Sequence, residues 1–479
     1  MFLGLLVTFM LALASLPAKA SFKATMERLL QSSALKEGRI GIEVVRLKDG
    51  RSVFSHNSDR LFSVASNNKL FLTAAALHLL GRDYRFETIG WTPGKISPNG
   101  TLEGDVIVRG SGDPNISARF QARATTIFEG WADDLLTRGI RKVDGRIIGD
   151  PNIFDRQYVH PSWPKKQLTH WYCAPVSGLA LNDNCIDVTI KPGRSARQPL
   201  AAISDPETSY VRFRIRGRTS PPNTRSAVWF QRNSNSNIIT IGGKHPAGGS
   251  PYKDSITVHD PASYFIHVLR EVLIRKGITV TGESALLKKS VPLPKDKSKL
   301  LFRFHSELLD SLRVTNKRSQ NFYAEQILKT LGASENGKGT FKNGVAVVTN
   351  FLSQLKIPDD SFKIVDGSGL ARGNRFTPHQ FVHLLNWVYG QKLRDDFMST
   401  LAIGGVDGTL ARRFKSEQLR GRVMAKTGSI SGVSALSGYV RAKSDSLYAF
   451  SILYNSNKGV PNSLKKLQYA ICDEIVTQP

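Results

Sequence analysis

Phe62-Ser63-Val64-Ala65-Ser66-Asn67-Asn68-Lys69 runs directly into residues 70–80, an apolar segment long enough for a helix. Ser66 opens that helix and stands at the positive end of its dipole, with Lys69 one turn later on the same face. That places a hydroxyl nucleophile beside a base. Ser-x-x-Lys also occurs at Ser33/Lys36, Ser162/Lys165, Ser250/Lys253, Ser353/Lys356 and Ser463/Lys466, so spacing alone does not select Ser66. The choice falls to what surrounds it.

Upstream, Ile40-Gly41-Ile42-Glu43-Val44-Val45, then Asp49-Gly50, then Arg51-Ser52-Val53-Phe54, predict two strands joined by a tight turn. Far downstream, residues 422–425, 434–441 and 447–454 alternate as strands, followed by a last helix over 463–475. Two strands near the beginning and three near the end complete one antiparallel sheet, which makes the middle of the chain an insertion. Helices are expected at 306–314, 321–331, 344–355 and 377–389, after a charged linker, Lys295-Asp296-Lys297-Ser298-Lys299. Inside the insertion, a helix is expected at 127–136, and Asp260-Pro261 caps another that ends at Gly277. Residues 197–250 are rich in Ser, Asn, Pro and Arg and read as a small β-rich module.

Lys426-Thr427-Gly428-Ser429 follows a strand and is the one Lys-Thr-Gly in the chain. On an edge facing a cleft it offers an ammonium, two hydroxyls and backbone N–H groups, with Gly428 admitting a close-lying substrate. Between the two motifs, Ser319-Gln320-Asn321 stands just before a helix, where Ser319 is also a good N-cap. Ser-x-x-Lys, Ser-x-Asn and Lys-Thr-Gly, in that order and in suitable elements, form the signature of penicillin-binding proteins and active-site-serine β-lactamases.

On these residues the sequence resembles the low-molecular-mass class C penicillin-binding proteins, the D-Ala-D-Ala carboxypeptidase/endopeptidases, over essentially the whole mature chain. From Ser66 to Ser319 is a separation of 253 (319 − 66), a large insertion of the kind that marks this class, against 107 (426 − 319) from Ser319 to Lys426. Gly110-Ser111-Gly112-Asp113-Pro114, Ala174-Pro175-Val176-Ser177, Asp366-Gly367-Ser368-Gly369-Leu370-Ala371-Arg372 and Gly405-Val406-Asp407-Gly408-Thr409-Leu410 look like that family too.

The resemblance implies an α+β fold: a penicillin-recognising serine transferase/β-lactamase-like domain, an antiparallel sheet flanked by helices. That domain is split over residues 21–85 and 298–479, with one insertion domain over 86–196 and 251–297 and a second, nested one over 197–250. It further implies that Ser66 attacks the peptide bond between two terminal D-alanines, with Lys69 as base. Ser319 relays a proton, Asn321 orients Lys69 and the substrate amide, and Lys426 depresses the Lys69 pKa by like charge. The Ser66 and Ser429 N–H groups form the oxyanion hole, while Thr427 and Ser429 hold the terminal carboxylate. Asp150 and Arg372 correspond to positions that read the third residue of the stem, an Asp and an Arg being complementary to a diaminopimelate. Peptidoglycan stem peptides and cross-links are the implied substrates, and β-lactams the covalent inhibitors. A serine β-lactamase and a non-catalytic peptidoglycan-binding homologue are the alternatives.

Residues 2–16 form an apolar run followed by Ala18-Lys19-Ala20, which reads as a secretory signal cleaved after Ala20, so export, to the periplasm, is expected. Sixty-six Lys and Arg against 39 Asp and Glu give a net charge of +27, which favours peripheral association with an anionic envelope. No zinc-finger spacing or aromatic RNA-binding pattern points to nucleic acid. The ten histidines form no His-Glu-x-x-His, so neither a metal nor another cofactor is expected. Gly332 to Lys338 has P-loop spacing, but Gly339 replaces the hydroxyl residue and the segment follows a helix. No Gly-x-Ser-x-Gly elbow occurs. Cys173 and Cys185 flank two adjacent strands and are placed to pair in an oxidising compartment, whereas Cys472 reads as a buried apolar residue.

Overall fold

A computed structural model describes residues 21–478. The expected signal segment, 1–20, lies outside the described residues.

The sequence pattern at the two ends of the chain closes into one six-stranded antiparallel sheet, in the order Arg51–His56, Arg39–Arg46, Leu447–Asn455, Val433–Arg441, Val423–Ile430, Ala402–Ile403. Ile42 pairs with Ile452 on one side and His56 on the other, so the first and last parts of the chain are locked in register. Arg39–Arg46 is buried at nearly every position because both faces of the sheet are covered. Helices Phe22–Leu30 and Leu464–Val476 cover one face through Met26, Leu464 and Ile471. The helix Lys69–Leu79 and its neighbours Asn321–Asn336 and Pro378–Tyr389 cover the other through Phe71, Ile327 and Phe381. From Lys69 to Leu77 every residue of its helix is buried, as an element apolar on all sides must be.

The insertion is built on a five-stranded sheet, Ala285–Leu286, Ile147–Asp150, Val106–Arg109, Arg85–Trp91 and Leu300–Glu307. Helices Thr126–Thr137 and Pro261–Arg275 pack on it, with Trp131 stacked on Phe302 at 4.5 Å. Asp260 caps the second helix as its sequence predicts. Beyond lie a three-stranded sheet, containing Cys185–Lys191, Ala201–Asp205 and Tyr252–Thr257, and a four-stranded sheet drawn from residues 212–246.

Two expectations about elements are corrected. Residues 306 and 307 end a strand and the helix begins at Leu308, because Phe302 and Phe304 alternate with Arg303 and His305 in the strand period. The strand at 423 does not stop at Ala425 but runs through Lys-Thr-Gly to Ile430, paired along its length with Val433–Arg441. Cys173, Cys185 and Cys472 are all free and buried, so the expected pairing of the first two is not present.

Buried polar contacts fasten the insertion over the catalytic sheet. The Gln326 side-chain amide donates to the carbonyls of Gly112 and Ser177 and accepts from the Ser177 N–H. Lys329, fully buried, pairs with Asp155 at 2.6 Å. Insertion residues Ser162, Pro164, Gln167, Trp171 and Tyr172 form one wall of a cleft.

Candidate active site

Ser66 lies in a 3₁₀ turn, Ala65–Asn68, and the α-helix starts one turn later at Lys69. The turn is strained: Ala65 has φ of 46°, a left-handed conformation unusual for a residue with a side chain. Two glycines make room for it. A Cβ at Gly369 would stand 1.9 Å from the Ala65 carbonyl oxygen, and one at Gly428 would stand 2.6 Å from the Val64 carbonyl oxygen. Gly428 therefore serves the close approach of the Ser66 turn itself, where the sequence suggested the approach of substrate.

Lys69 is fully buried, and its Nζ touches three oxygens: Ser66 Oγ at 3.0 Å, Asn321 Oδ1 at 2.8 Å and the Ser368 carbonyl at 2.5 Å. A neutral amine has two N–H donors and one lone pair. Two carbonyl-type acceptors take the donors, and the lone pair is left for the Ser66 hydroxyl proton. Burial pulls the Lys69 pKa down to about 7, against the opposing charges of Asp366 and Glu325. Lys426, also fully buried, is lowered well below its ordinary value by burial first and then by Lys69. The like charge of the two lysines adds to burial in disfavouring the charged form of Lys426.

Lys426 Nζ donates to Ser319 Oγ at 2.7 Å and to the Thr427 carbonyl at 2.7 Å. Ser319 is not the helix cap. It has φ of 60°, and Gln320 occupies the capping position, leaving the Ser319 hydroxyl free for the cleft. The Asn321 amide nitrogen is held by the Tyr172 carbonyl at 2.9 Å, so an insertion residue sets the orientation of its oxygen toward Lys69. Thr427 Oγ1 bonds Thr409 Oγ1 at 2.9 Å.

Several residues outside the three motifs hold this cluster. Glu325, one turn beyond Asn321, accepts the N–H of Gly367 at 3.1 Å and of Ser368 at 2.7 Å, and burial beside Asp366 raises its pKa. Asp366 accepts from the Gly369 and Ala371 N–H groups, the Asn374 amide and the Trp163 indole. Together they fix the loop that carries the Ser368 carbonyl. Its helical spacing from Asn321 was a readable signal for Glu325; the backbone oxygen of Ser368 has none.

A cleft of about 560 Å³ opens over the cluster, lined by Ser66, Ser319, Asn321, Ser429, Gln167, Tyr172 and Arg372 among others. Arg372 also donates to the Ser431 carbonyl at 3.1 Å. Asp150 is not brought to this cleft. It is fully buried in the insertion sheet, paired with Arg109 at 2.9 Å and bonded to Asn152 and Ser290. A carboxylate that deep is satisfied inside its own domain, so the expected Asp150/Arg372 pairing on substrate is withdrawn. Among the described residues, no acidic side chain lines the cleft.

A split sheet with a half-buried serine beside a buried lysine, a second serine and a strand carrying Lys-Thr-Gly defines the penicillin-recognising class of active-site-serine enzymes. Residues 22–472 match the D-Ala-D-Ala carboxypeptidase 3 (S13) family, and the chain belongs to that family. A D-alanyl-D-alanine carboxypeptidase of Actinomadura sp. (strain R39) is 30% identical over 446 residues, covering 91% of this chain and 81% of that protein. The D-alanyl-D-alanine carboxypeptidase DacB of Haemophilus influenzae is 26% identical over 417 residues, covering 85% and 83%. The crystal structure of penicillin binding protein 4 (dacB) from Haemophilus influenzae shares the fold with a TM-score of 0.80 at 23% identity, covering 95% of this chain and 99% of that one.

Proposed function

We propose that the protein is an exported serine-type D-Ala-D-Ala carboxypeptidase of the peptidoglycan, with D,D-endopeptidase action on cross-links as the same reaction on a different leaving amine. The observation that carries this is the three-oxygen environment of Lys69, which directs the lone pair of a neutral amine at Ser66. Lys69 takes the Ser66 proton as Oγ attacks the carbonyl between the two D-alanines. The Ser66 and Ser429 N–H groups receive the developing oxyanion, where one donor is typically worth about 3 kcal/mol. Ser319, bonded to Lys426, passes a proton to the leaving amine, and D-alanine departs. Thr427 and Ser429 hold the terminal carboxylate during the attack, and water then hydrolyses the acyl-enzyme.

β-Lactams acylate Ser66 by the same route. With Asp150 withdrawn, reading of the third stem residue falls to the cleft itself, where Arg372 supplies a cation and Gln167 a neutral amide, a lining suited to a carboxylate. The periplasm is the proposed compartment, and the net charge of +27 supports loose association with an anionic envelope.

Labelling with a fluorescent penicillin, in wild type and Ser66→Ala, tests the assignment. The wild type labels and the variant does not; equal labelling of both overturns it. Release of D-alanine from a D-Ala-D-Ala pentapeptide separates the peptidase from a β-lactamase that hydrolyses nitrocefin alone.

A further inference from the structure

Besides the catalytic cleft, the structure holds a larger cavity of about 820 Å³ between the insertion and the Ser-x-Asn loop. Trp171 and Arg318 line both spaces, so the two are neighbours across a shared wall. Trp171 is 40% exposed, a large indole surface left open to solvent. Its polar lining includes four carboxylates, Asp183, Asp187, Asp205 and Asp254, and the cations Arg119, Lys253 and Arg318, with the Asn182 and Gln320 amides between them. The Asn182 amide donates to Asp187 at 3.0 Å, which fixes that pair in place. Carboxylates and cations face the same space, so the lining suits neither a simple anion nor a simple cation. It suits a neutral ligand with many hydroxyl and amide groups, and an exposed indole face suits the C–H face of a sugar ring.

We propose that this cavity binds the glycan portion of the substrate, a disaccharide of N-acetylated amino sugars, while its attached peptide occupies the catalytic cleft. The proposal rests on the D-Ala-D-Ala carboxypeptidase reading, because a wall stem peptide is joined at its amino end to such a sugar. Trp171 and Arg318 line both spaces, so a chain that leaves the cleft on their side enters this cavity. Carboxylates and amides take the sugar hydroxyls and acetamido groups, with the Trp171 ring as the stacking surface.

The test compares a free D-Ala-D-Ala pentapeptide with the same pentapeptide carried on its disaccharide, in wild type and in the double variant Asp205→Ala/Lys253→Ala. Neither side chain belongs to the catalytic cluster. Wild type is expected to favour the glycosylated substrate by about tenfold or more in kcat/KM, expressed in KM. The variant is expected to lose that preference while turning over the free pentapeptide within about twofold of wild type. Equal kcat/KM for both substrates in wild type, or a preference that survives the double substitution, overturns the proposal. Calorimetric titration with the peptide-free disaccharide gives an independent reading: binding to wild type and not to the variant supports the cavity, and binding to neither or to both overturns it. Failure to release D-alanine from either substrate would strike the peptidase reading alone, and the titration would still decide the cavity.

Discussion

Two lysines are buried in the same cleft, and their surroundings are opposite in sign. Lys69 has Asp366 and Glu325 close enough to stabilise its charge, whereas the partners of Lys426 are a hydroxyl and a carbonyl, with another lysine nearby. Burial lowers both, but only Lys69 is brought back toward neutrality, to about 7. The difference teaches a division of labour. Lys69 sits where a proton is easily gained and lost, which a base requires. Lys426, bonded to a hydroxyl and a carbonyl with no carboxylate beside it, is placed to pair with an anionic group, which a carboxylate-bearing substrate supplies.

The largest effect is expected from removing the proposed base. Lys69→Met is expected to slow acylation by roughly 10²–10⁴-fold, read as the rate of fluorescent-penicillin labelling. If Lys426→Met matches it on every substrate, the division of labour fails. Lys426→Met is instead expected to act most on substrates with a free terminal carboxylate, losing roughly 10–100-fold in kcat/KM, as loss of a charge-assisted bond implies. The same peptide with an amidated terminus should lose far less.

Glu325→Gln sharpens the electrostatic half of the comparison. Burial and the neighbouring Asp366 raise the Glu325 pKa to about 8, so Glu325 is mostly protonated where Lys69 titrates, and its ionised form lifts the Lys69 pKa only at the upper end of that range. Because the neutral amine is the active form, the acid limb of the acylation profile should move only slightly to lower pH in Glu325→Gln, by about 0.3 unit or less. Movement to higher pH would contradict the sign. The smallest effect on catalysis is expected at Asp150. Asp150→Ala strands Arg109 and should cost roughly 2–4 kcal/mol of stability in urea unfolding, with kcat/KM on a pentapeptide hardly changed.

The sheet was legible because its two halves carry period-2 strands with tight turns, and residues 39–56 and 423–455 do pair as the pattern predicts. Ser66, Lys69, Ser319, Asn321 and Lys426 stood out because side-chain type and order carry their chemistry, and the fold places Lys69 within hydrogen-bonding reach of Ser66 and Asn321, and Lys426 within reach of Ser319. What the sequence hid was of two kinds. Backbone groups such as the Ser368 carbonyl have no letter of their own, and the Ser66 turn owes its shape to distant glycines at 369 and 428. Asp150 misled for the opposite reason. Its residue type fitted a ligand role, while its true partner stands far upstream in the chain and is joined to it only by strand pairing. Arg109, on the neighbouring strand, claims it in the register Arg109↔Asp150.

The central claim is that burial makes Lys69 a neutral base near neutrality. The pH dependence of the acylation rate tests it most directly, measured with fluorescent penicillin on wild type under single-turnover conditions. The account predicts a rate that rises with pH through one ionisation at about 7, absent from Lys69→Met. A limb at the ordinary lysine value of 10.5, or a rate independent of pH across neutrality, would contradict it.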